Sequence, residues 1–471
     1  MKRFRKLICV TVVAMMIFSF MACAQDTTPD APAPDTDATE DAPDPDAGED
    51  AGEVDAGEVD AGEDAAEDDF VTDIDELYGT FIMWNWDYPN NTNINAVFNE
   101  VHPNVIVEMF ILGPPEVLER YQMAIAAGTE VGDIVWAERS THAAMLRVGG
   151  FERLCQPPYN VDRNIWLDSV IPFVVDEDDY VIGFDISVCP AGFGYNLNLA
   201  EQFLGTSDRY ELEAMFPTWE SMLAVAGQVY EESGGRFHMF ANIDSLVAPL
   251  VGQWTEYAVV DGQLNFENTV YPVLYKVVQA RDSNAMGLLG SWTPEFFASM
   301  NEENFIFLYL AAWSVEVIFQ SNAPDMHGTM GFMRTPEGDT SWGGTTMMIP
   351  SAAENKELAF AYLNFLYGTR EGAEIIKDVS VQLVGLREAF DDPDFIYQTT
   401  PWFPGINIGH ILYGEIAPNM ISLFPNLDHQ QILGYGFWPV IGEIINEGIT
   451  YEQARTRVHE LIAEQRFAFL D

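Results

Sequence analysis

The sequence feature that most constrains the fold is a regular alternation of short apolar runs with stretches of helical spacing, which begins at Gly79. Strands are predicted at 80–84, 105–110 and 133–136, and helices at 92–101, 114–127 and 140–148. Pro114-Pro115 favours the start of a helix and Gly128 favours its end. Three strands that alternate with three helices predict a parallel sheet covered by helices.

A second region of alternating strands and helices follows in the C-terminal part of the chain. Strands are predicted at 180–183, 194–196 and 347–350, and helices at 219–231, 355–368 and 450–466. Thr218 and Thr450 are the expected N-caps, and Gln453 completes a capping box with Thr450. The segment 270–320 also has helical spacing, and we expect a helix that includes Phe305, Leu308, Leu310 and Ala312.

The first 22 residues have the pattern of a signal peptide. Four basic residues precede an apolar stretch from Leu7 to Phe20, which would span about 21 Å as a helix and is too short for a bilayer core of about 30 Å. Phe20-Met21-Ala22-Cys23 resembles the cleavage box of bacterial lipoproteins, which implies acylation of Cys23. The alternative is an ordinary signal peptide that contains a cysteine.

Residues 24–70 form a low-complexity segment of Asp, Glu, Ala, Pro and Gly. The segment holds 19 acidic residues and no Lys or Arg, and pentads such as Asp-Ala-Gly-Glu-Val recur within it. Such a composition cannot bury a core and repels itself, so we expect a disordered acidic tether. Weak binding of cations is the alternative, although dispersed carboxylates form poor sites.

The remaining residues, 71–471, are the expected folded part. With 55 acidic and 17 basic residues they carry a net charge of −38, which excludes general nucleic-acid binding and attraction to anionic lipid. Their length favours two domains. Of the four cysteines, Cys9 lies in the signal peptide and Cys23 is the expected anchor, while Cys155 and Cys189 either form a disulfide or stay free.

Seven short segments, in order along the chain, resemble the extracellular solute-binding proteins of ABC importers, in the carbohydrate-binding group that includes maltose-binding protein. The matching segments are 97–108, 124–136, 182–185, 195–196, 218–222, 343–355 and 414–419. The resemblance implies a two-lobed α/β fold of the periplasmic-binding-protein type II class, in which each lobe has a mixed, mainly parallel sheet flanked by helices and the ligand lies between the lobes. It places 77–187 and 323–384 in the N-terminal lobe, and 188–322 and 385–471 in the C-terminal lobe.

The candidate ligand-binding residues stand after predicted strands or match positions where this family contacts ligand. Ligands of parallel sheets lie beyond the carboxyl ends of strands, and a sugar needs aromatic planes together with polar groups that bind hydroxyls. For single residues the alternatives are a core position, as for Trp84 and Trp313, or a helix cap, as for Glu138. The candidates are Trp84, Asn85, Trp86, Asp87, Trp136, Glu138, Asp185, Trp254, Trp313, Trp342, Gly343 and Trp438.

The sequence contains no Gly-x-Ser-x-Gly, His-Glu-x-x-His, P-loop or Cys-x-x-Cys motif. The acidic run Asp176–Asp179 lacks the alternating spacing of a calcium loop and is expected to be a turn. We therefore expect a monomeric receptor without cofactor, metal or catalysis. It would be lipid-anchored at the extracellular face of the membrane and would deliver a sugar to ABC transporter permease subunits by hinge closure. The alternatives are a secreted glycoside hydrolase and a ligand sensor for a membrane signalling protein.

Overall fold

Two mixed β-sheets organise the fold. The computed structural model describes residues 70–86, 89–291, 293–300, 304–320, 322–323, 326–380 and 382–470. The expected signal peptide, Cys23 and all of the tether before Phe70 lie outside the described residues. No helix in the described part of the chain is both long and apolar enough to cross a membrane.

The strands, in chain order, are β1 (Gly79–Asn85), β2 (Val105–Ile111), β3 (Ile134–Glu138), β4 (Gly183–Asp185), β5 (Pro190–Asn196), β6 (His238–Phe240), β7 (Val259–Val260), β8 (Gln263–Leu264), β9 (Phe305–Ala311), β10 (Met330–Met333), β11 (Thr340–Ser341) and β12 (Thr345–Met348).

The helices are α1 (Pro89–Val101), α2 (Pro114–Ala127), α3 (Arg139–Val148), α4 (Ile171–Val174), α5 (Leu197–Leu204), α6 (Arg209–Met215), α7 (Trp219–Glu232), α8 (Asp244–Gly252), α9 (Val270–Asp282), α10 (Pro294–Met300), α11 (Lys356–Gly368), α12 (Arg370–Val379), α13 (Arg387–Phe390), α14 (Leu427–Ile432), α15 (Trp438–Glu447) and α16 (Tyr451–Gln465). Three π-helical segments lie at Val315–Gln320, His410–Ile416 and Leu433–Phe437.

The local signals for helix ends act as the sequence predicts. Gly128 closes α2 in the left-handed conformation, at φ 62°. Thr218 caps α7, and Thr450 forms a capping box with Gln453 at the start of α16. These signals succeed because they depend only on backbone groups within a few residues.

The first sheet has the strand order β2-β1-β3-β12-β4. Strand β1 is parallel to β2 and β3, whereas β12 is antiparallel to both β3 and β4. The carboxyl ends of β1 and β3 and the start of β12 therefore meet at one edge of this sheet, where Thr345 pairs with Glu138. This edge carries one wall of the candidate site.

The second sheet has the order β10-β5-β9-β6, with β11 also paired to β5. Strand β5 follows β4 of the first sheet in the chain and is antiparallel to β9, β10 and β11. Strand β6 is parallel to its neighbour β9. This sheet is thus mainly antiparallel, in contrast to the mainly parallel sheet that the sequence predicts. The two sheets together confirm the α/β class with mixed sheets flanked by helices.

The prediction of a helix across Phe305, Leu308, Leu310 and Ala312 is wrong. Residues Phe305–Ala311 form β9, and every residue of this strand is buried. A strand that is buried on both faces reads as a continuous apolar run, which periodicity alone cannot distinguish from a buried helix. Among the described residues of 270–320, the helical parts are α9, α10 and Val315–Gln320.

The chain passes between the two sheets in segments that hydrogen-bond to each other. Between β4 and β5, Ile186 donates its N–H to the oxygen of Thr345 (2.9 Å), while Trp342 donates its N–H to the oxygen of Cys189 (3.0 Å). Strands β10 and β11 belong to the second sheet, so the chain re-enters the first sheet at Thr345 and not at residue 323, where the sequence places the change of lobe. The lobe bounds at the other positions stay a prediction.

Cys155 and Cys189 are free thiols. The run Asp176–Asp179 forms a turn in which Asp176 accepts the N–H groups of Asp178 and Tyr180, and Asp179 is paired with Arg163.

Candidate ligand-binding cleft

Two predicted tryptophans lie at the carboxyl ends of neighbouring strands, in the core of the first sheet. Trp86 follows β1 and Trp136 lies in β3, and their ring centroids are 5.0 Å apart in an edge-to-face arrangement. Both rings are buried, with 5% and 2% of their surface exposed. Within the residues that the structure describes, the indole N–H of Trp136 has no hydrogen-bond acceptor, although buried indole nitrogens usually have one.

The first wall of the site is formed by Arg139, which links three elements of the first (N-terminal) lobe at the edge of its sheet. Its guanidinium group contacts the Asp185 carboxylate at the end of β4, donates to the Thr346 hydroxyl in β12 (3.0 Å) and lies 3.5 Å from the centroid of the Phe173 ring. Burial raises the pKa of Asp185 to about 6, and the charge of Arg139 partly opposes this rise. The pair positions the ends of β3, β4 and β12 relative to one another.

The second wall is formed by two tryptophans that follow strands of the second sheet. Trp313 comes after β9 and Trp342 after β11, with ring centroids 5.1 Å apart. The indole N–H of Trp313 donates to the main-chain oxygen of Trp342 (2.8 Å), and Tyr309 packs against Trp342 at 5.2 Å. Both indoles are partly exposed, so this wall offers accessible aromatic surface.

Asn242 and Asp244 follow β6 and complete the second wall with polar groups. The Asn242 amide donates to the Ser291 hydroxyl (2.6 Å), and its oxygen accepts the N–H and hydroxyl of Ser245. Burial raises the pKa of Asp244. Together with Trp342 and Tyr309 these residues line a narrow crevice.

Asn242 and Asp244 are absent from the residues predicted by sequence. The signal that could have identified them is the short apolar run Met239–Ala241 directly before them, which has the same form as the strand ends that were recognised elsewhere.

Gly343 and Gly344 lie between the two walls. A β-carbon on Gly343 would lie 3.2 Å from the indole nitrogen of Trp313, and one on Gly344 would lie 2.9 Å from the Arg139 guanidinium. Both residues have positive φ, +73° and +117°, which glycine tolerates best. The crossing segment can therefore pass between the Trp313 ring and the Arg139 guanidinium only because residues 343 and 344 have no side chains.

Four of the predicted candidates lie at this crossing: Asp185, Trp313, Trp342 and Gly343. Trp86 and Trp136 lie in the core of the first sheet. Asn85 lies beside them at the end of β1, fully buried, with its amide donating to the sulfur of Met83 (3.3 Å).

The other predicted candidates lie elsewhere. Trp84 is in the core under α2, with Arg120 over its ring, and Trp254 packs against Phe437 in the core of the second lobe. Trp438 is 39% exposed on α15. Unlike these residues, Glu138 lies at the edge of the first sheet beside the crossing, where it pairs with Thr345, but its carboxylate caps α3 through the N–H of Ser140 (2.8 Å), which is the alternative that its sequence position left open. Asp87 lies outside the described residues.

In chemical terms the site combines aromatic planes with hydrogen-bonding groups. Among the described residues, no group of three or more His, Cys, Asp or Glu side chains is arranged to hold a metal ion. Aromatic faces next to amide and carboxylate groups suit a ligand with both apolar faces and hydroxyl groups.

No protein-family model matches the sequence, and a comparison with curated proteins finds no match. Solved structures do share the fold. An extracellular solute-binding protein of family 1 is similar at a TM-score of 0.69 and 16% identity, over 82% of this chain and 99% of that chain.

Two further structures are similar over the same extent. For the sugar-binding protein MalE from Xanthomonas citri, the TM-score is 0.63 at 16% identity, over 83% of this chain and 99% of that chain. For the galacto-N-biose-/lacto-N-biose I-binding protein of the ABC transporter from Bifidobacterium longum, the values are 0.64 and 15%, over 82% and 98%. At these identities the likeness confirms the predicted fold.

The glycine crossing leads to a prediction about stability. Gly343→Ala should lower the free energy of unfolding by about 1–2 kcal/mol more than Gly405→Ala, because the new methyl group is forced against Trp313. Gly405 is the matched control, since it has φ +70° and no atom within 4 Å of its β-carbon position, so the backbone strain is nearly the same. The measurement is equilibrium unfolding in urea followed by circular dichroism. Equal losses in the two variants would contradict the crowding by Trp313.

Proposed function

We propose that this protein is an exported receptor that binds a carbohydrate between its two lobes and delivers it to an ABC transporter. The observation that carries the proposal is that two partly exposed tryptophans of the second sheet, Trp313 and Trp342, lie at the glycine crossing, which on its other side meets the Arg139–Asp185 pair of the first sheet. Stacking on aromatic rings together with hydrogen bonds to carboxylates and amides is the chemistry that binds sugars.

The structural neighbours support the same interpretation. Two of them carry names that state a sugar or disaccharide as ligand, and one name states an ABC transporter. These proteins are binding proteins and not enzymes, which supports a receptor without catalysis over a glycoside hydrolase. Permease subunits as partners and a monomeric state are part of the proposal.

The proposed mechanism is hinge closure. The two hydrogen-bonded crossing segments at 186–189 and 342–345 connect the two sheets and are the proposed hinge. A ligand that touches both walls binds the closed form better and shifts the population toward it.

A thermal-shift screen with neutral mono- and oligosaccharides tests the proposed ligand class. A sugar present at about 100 times its Kd adds about 2.7 kcal/mol to the stability of the native state. We therefore expect at least one sugar to raise the melting temperature by about 5 °C. A panel of amino acids and peptides serves as the control, and a shift by these ligands alone would overturn the carbohydrate assignment. Release of shorter sugars during incubation would instead indicate a hydrolase.

The role of the second wall is tested with Trp313→Phe. The smaller ring loses stacking area and the hydrogen bond that positions Trp342, so the Kd for a sugar found in the screen should rise about ten-fold. Trp219→Phe is the matched control, because Trp219 is fully buried in the same lobe and also donates its indole N–H, to Gln253 (2.8 Å). This control should lower the melting temperature and leave the Kd unchanged. An unchanged Kd in Trp313→Phe, measured by isothermal titration calorimetry, would remove Trp313 from the site.

We also propose that Cys23 carries a lipid anchor and that residues 24–70 act as an acidic tether. The support is the sequence alone: a short apolar segment, a small residue at Ala22 and an acidic segment without Lys or Arg.

Metabolic labelling with an alkyne fatty acid in a bacterial host tests this anchor. Cys23→Ser should lose the label, because the acylated thiol is gone, whereas Cys9→Ser should keep it, since Cys9 leaves with the signal peptide. Labelled Cys23→Ser protein would show that the anchor lies elsewhere.

A further inference from the structure

The segment around α14 is anchored on the second lobe. The His429 ring nitrogen Nδ1 accepts the N–H of Ala258 (3.0 Å), and the ring lies edge-on between Trp254 and Tyr257, at 5.8 and 5.5 Å. The Tyr257 hydroxyl also donates to the main-chain oxygen of Phe424 (3.0 Å). These contacts hold both ends of 424–430 against the loop before β7.

The next residue, Gln430, reaches the first lobe. Its Nε2 donates to the main-chain oxygen of Arg139 at 2.6 Å, and α14 packs against α3, which begins at Arg139. A residue on a helix fixed to one lobe therefore hydrogen-bonds to the backbone of the other lobe.

Arg139 cannot follow α14 if the lobes separate. Its N–H donates to the oxygen of Gly344 (3.1 Å), and its side chain is held by Asp185 and Thr346. Opening of the cleft must therefore break the bond from Gln430 and cannot simply carry Arg139 along.

The other end of the Gln430 amide also indicates a role in closure. Its Oε1 is buried and has no hydrogen-bond donor among the described residues. A buried acceptor without a partner is costly, so an apolar side chain would serve better if this position only packed α14 against α3. The amide is explained by its bond across the lobes.

We propose that Gln430 is a latch that holds the two lobes together in the absence of solute and so sets the balance between the open and closed forms. The inference rests on the hinge of the proposed function and adds that the protein itself supplies part of the free energy of closure. Solute affinity is then higher, because less of the binding free energy is needed to close the lobes.

The test is hydrogen–deuterium exchange of the ligand-free full chain for Gln430→Leu and Gln430→Glu. Leu keeps the bulk without a donor, and Glu is nearly isosteric but cannot donate to a carbonyl oxygen when ionised. Both variants should exchange about five-fold faster at the start of α3, residues 139–143, and on α14, as expected for the loss of one hydrogen bond. The matched control is Gln228→Leu, because the Gln228 amide donates to Glu232 within the same helix, α7.

Exchange at Ala258 separates a latch from local unfolding. If the latch opens while α14 stays on the second lobe, the Ala258 amide keeps the protection that His429 provides. Faster exchange at Ala258 together with α14 would mean that the helix has detached, and unchanged exchange at 139–143 would mean that the bond does not couple the lobes. Either result overturns the proposal.

Affinity gives an independent readout once a solute is known. The latch predicts that Gln430→Leu weakens binding by up to about five-fold, whereas the control Gln228→Leu should leave the Kd unchanged, because its amide bond lies within one helix of the second lobe. Tighter binding in Gln430→Leu would instead show that Gln430 obstructs the cleft, and would overturn the latch. A sugar screen without any hit would overturn the carbohydrate assignment and leave the exchange result intact, so the two failures are distinguishable.

Discussion

The arrangement of the two lobes depends on the absence of side chains at Gly343 and Gly344. Here the chain passes from the second sheet to the first between the indole of Trp313 and the guanidinium of Arg139, which lie where β-carbons of these two residues would make close contacts. Because each wall of the cleft ends at this segment, its conformation fixes which surfaces can face each other. The hydrogen bonds to the neighbouring crossing segment at 186–189 keep both segments in one narrow connection, which is the geometry that a hinge requires.

The two walls of the candidate site differ in chemistry and accessibility. The tryptophans at the strand ends of the first sheet, Trp86 and Trp136, are buried in its core, whereas Trp313 and Trp342 of the second wall are partly exposed. The polar groups differ as well: the first wall has an ion pair between Arg139 and Asp185, whose charges satisfy each other, and the second has Asn242 and Asp244. A buried ion pair is weak evidence for stability but fixes the positions of its two side chains. The first wall therefore has fixed polar groups, whereas the second wall offers aromatic surface that a ligand can contact.

Features of this fold that depend on neighbouring residues can be predicted from the sequence, whereas features that depend on tertiary packing cannot. Thr218, Thr450 and Gly128 were assigned correctly because a cap is decided by backbone groups a few residues away. Strand β9 was missed because burial on both faces removes the alternation that identifies strands. Trp84 and Trp86 stand two residues apart at the same strand end, and only the packing shows that both are core, Trp84 under α2 and Trp86 against Trp136. The order of segments led to the two-lobed fold, but the contact between Gln430 and Arg139, far apart in the chain, has no sequence signal.

The strand order of the first sheet has a consequence for biosynthesis. Strand β12 lies between β3 and β4, although the whole of the second sheet is translated before it. The N-terminal part of the chain therefore emerges from the ribosome with a gap in its sheet, and neither β3 nor β4 has its antiparallel neighbour until residue 348 has been made. Pairing over such a sequence separation is slow, because a large loop must close first. A nascent chain of this topology remains incompletely folded until late in synthesis, which is the state that export across a membrane in unfolded form requires.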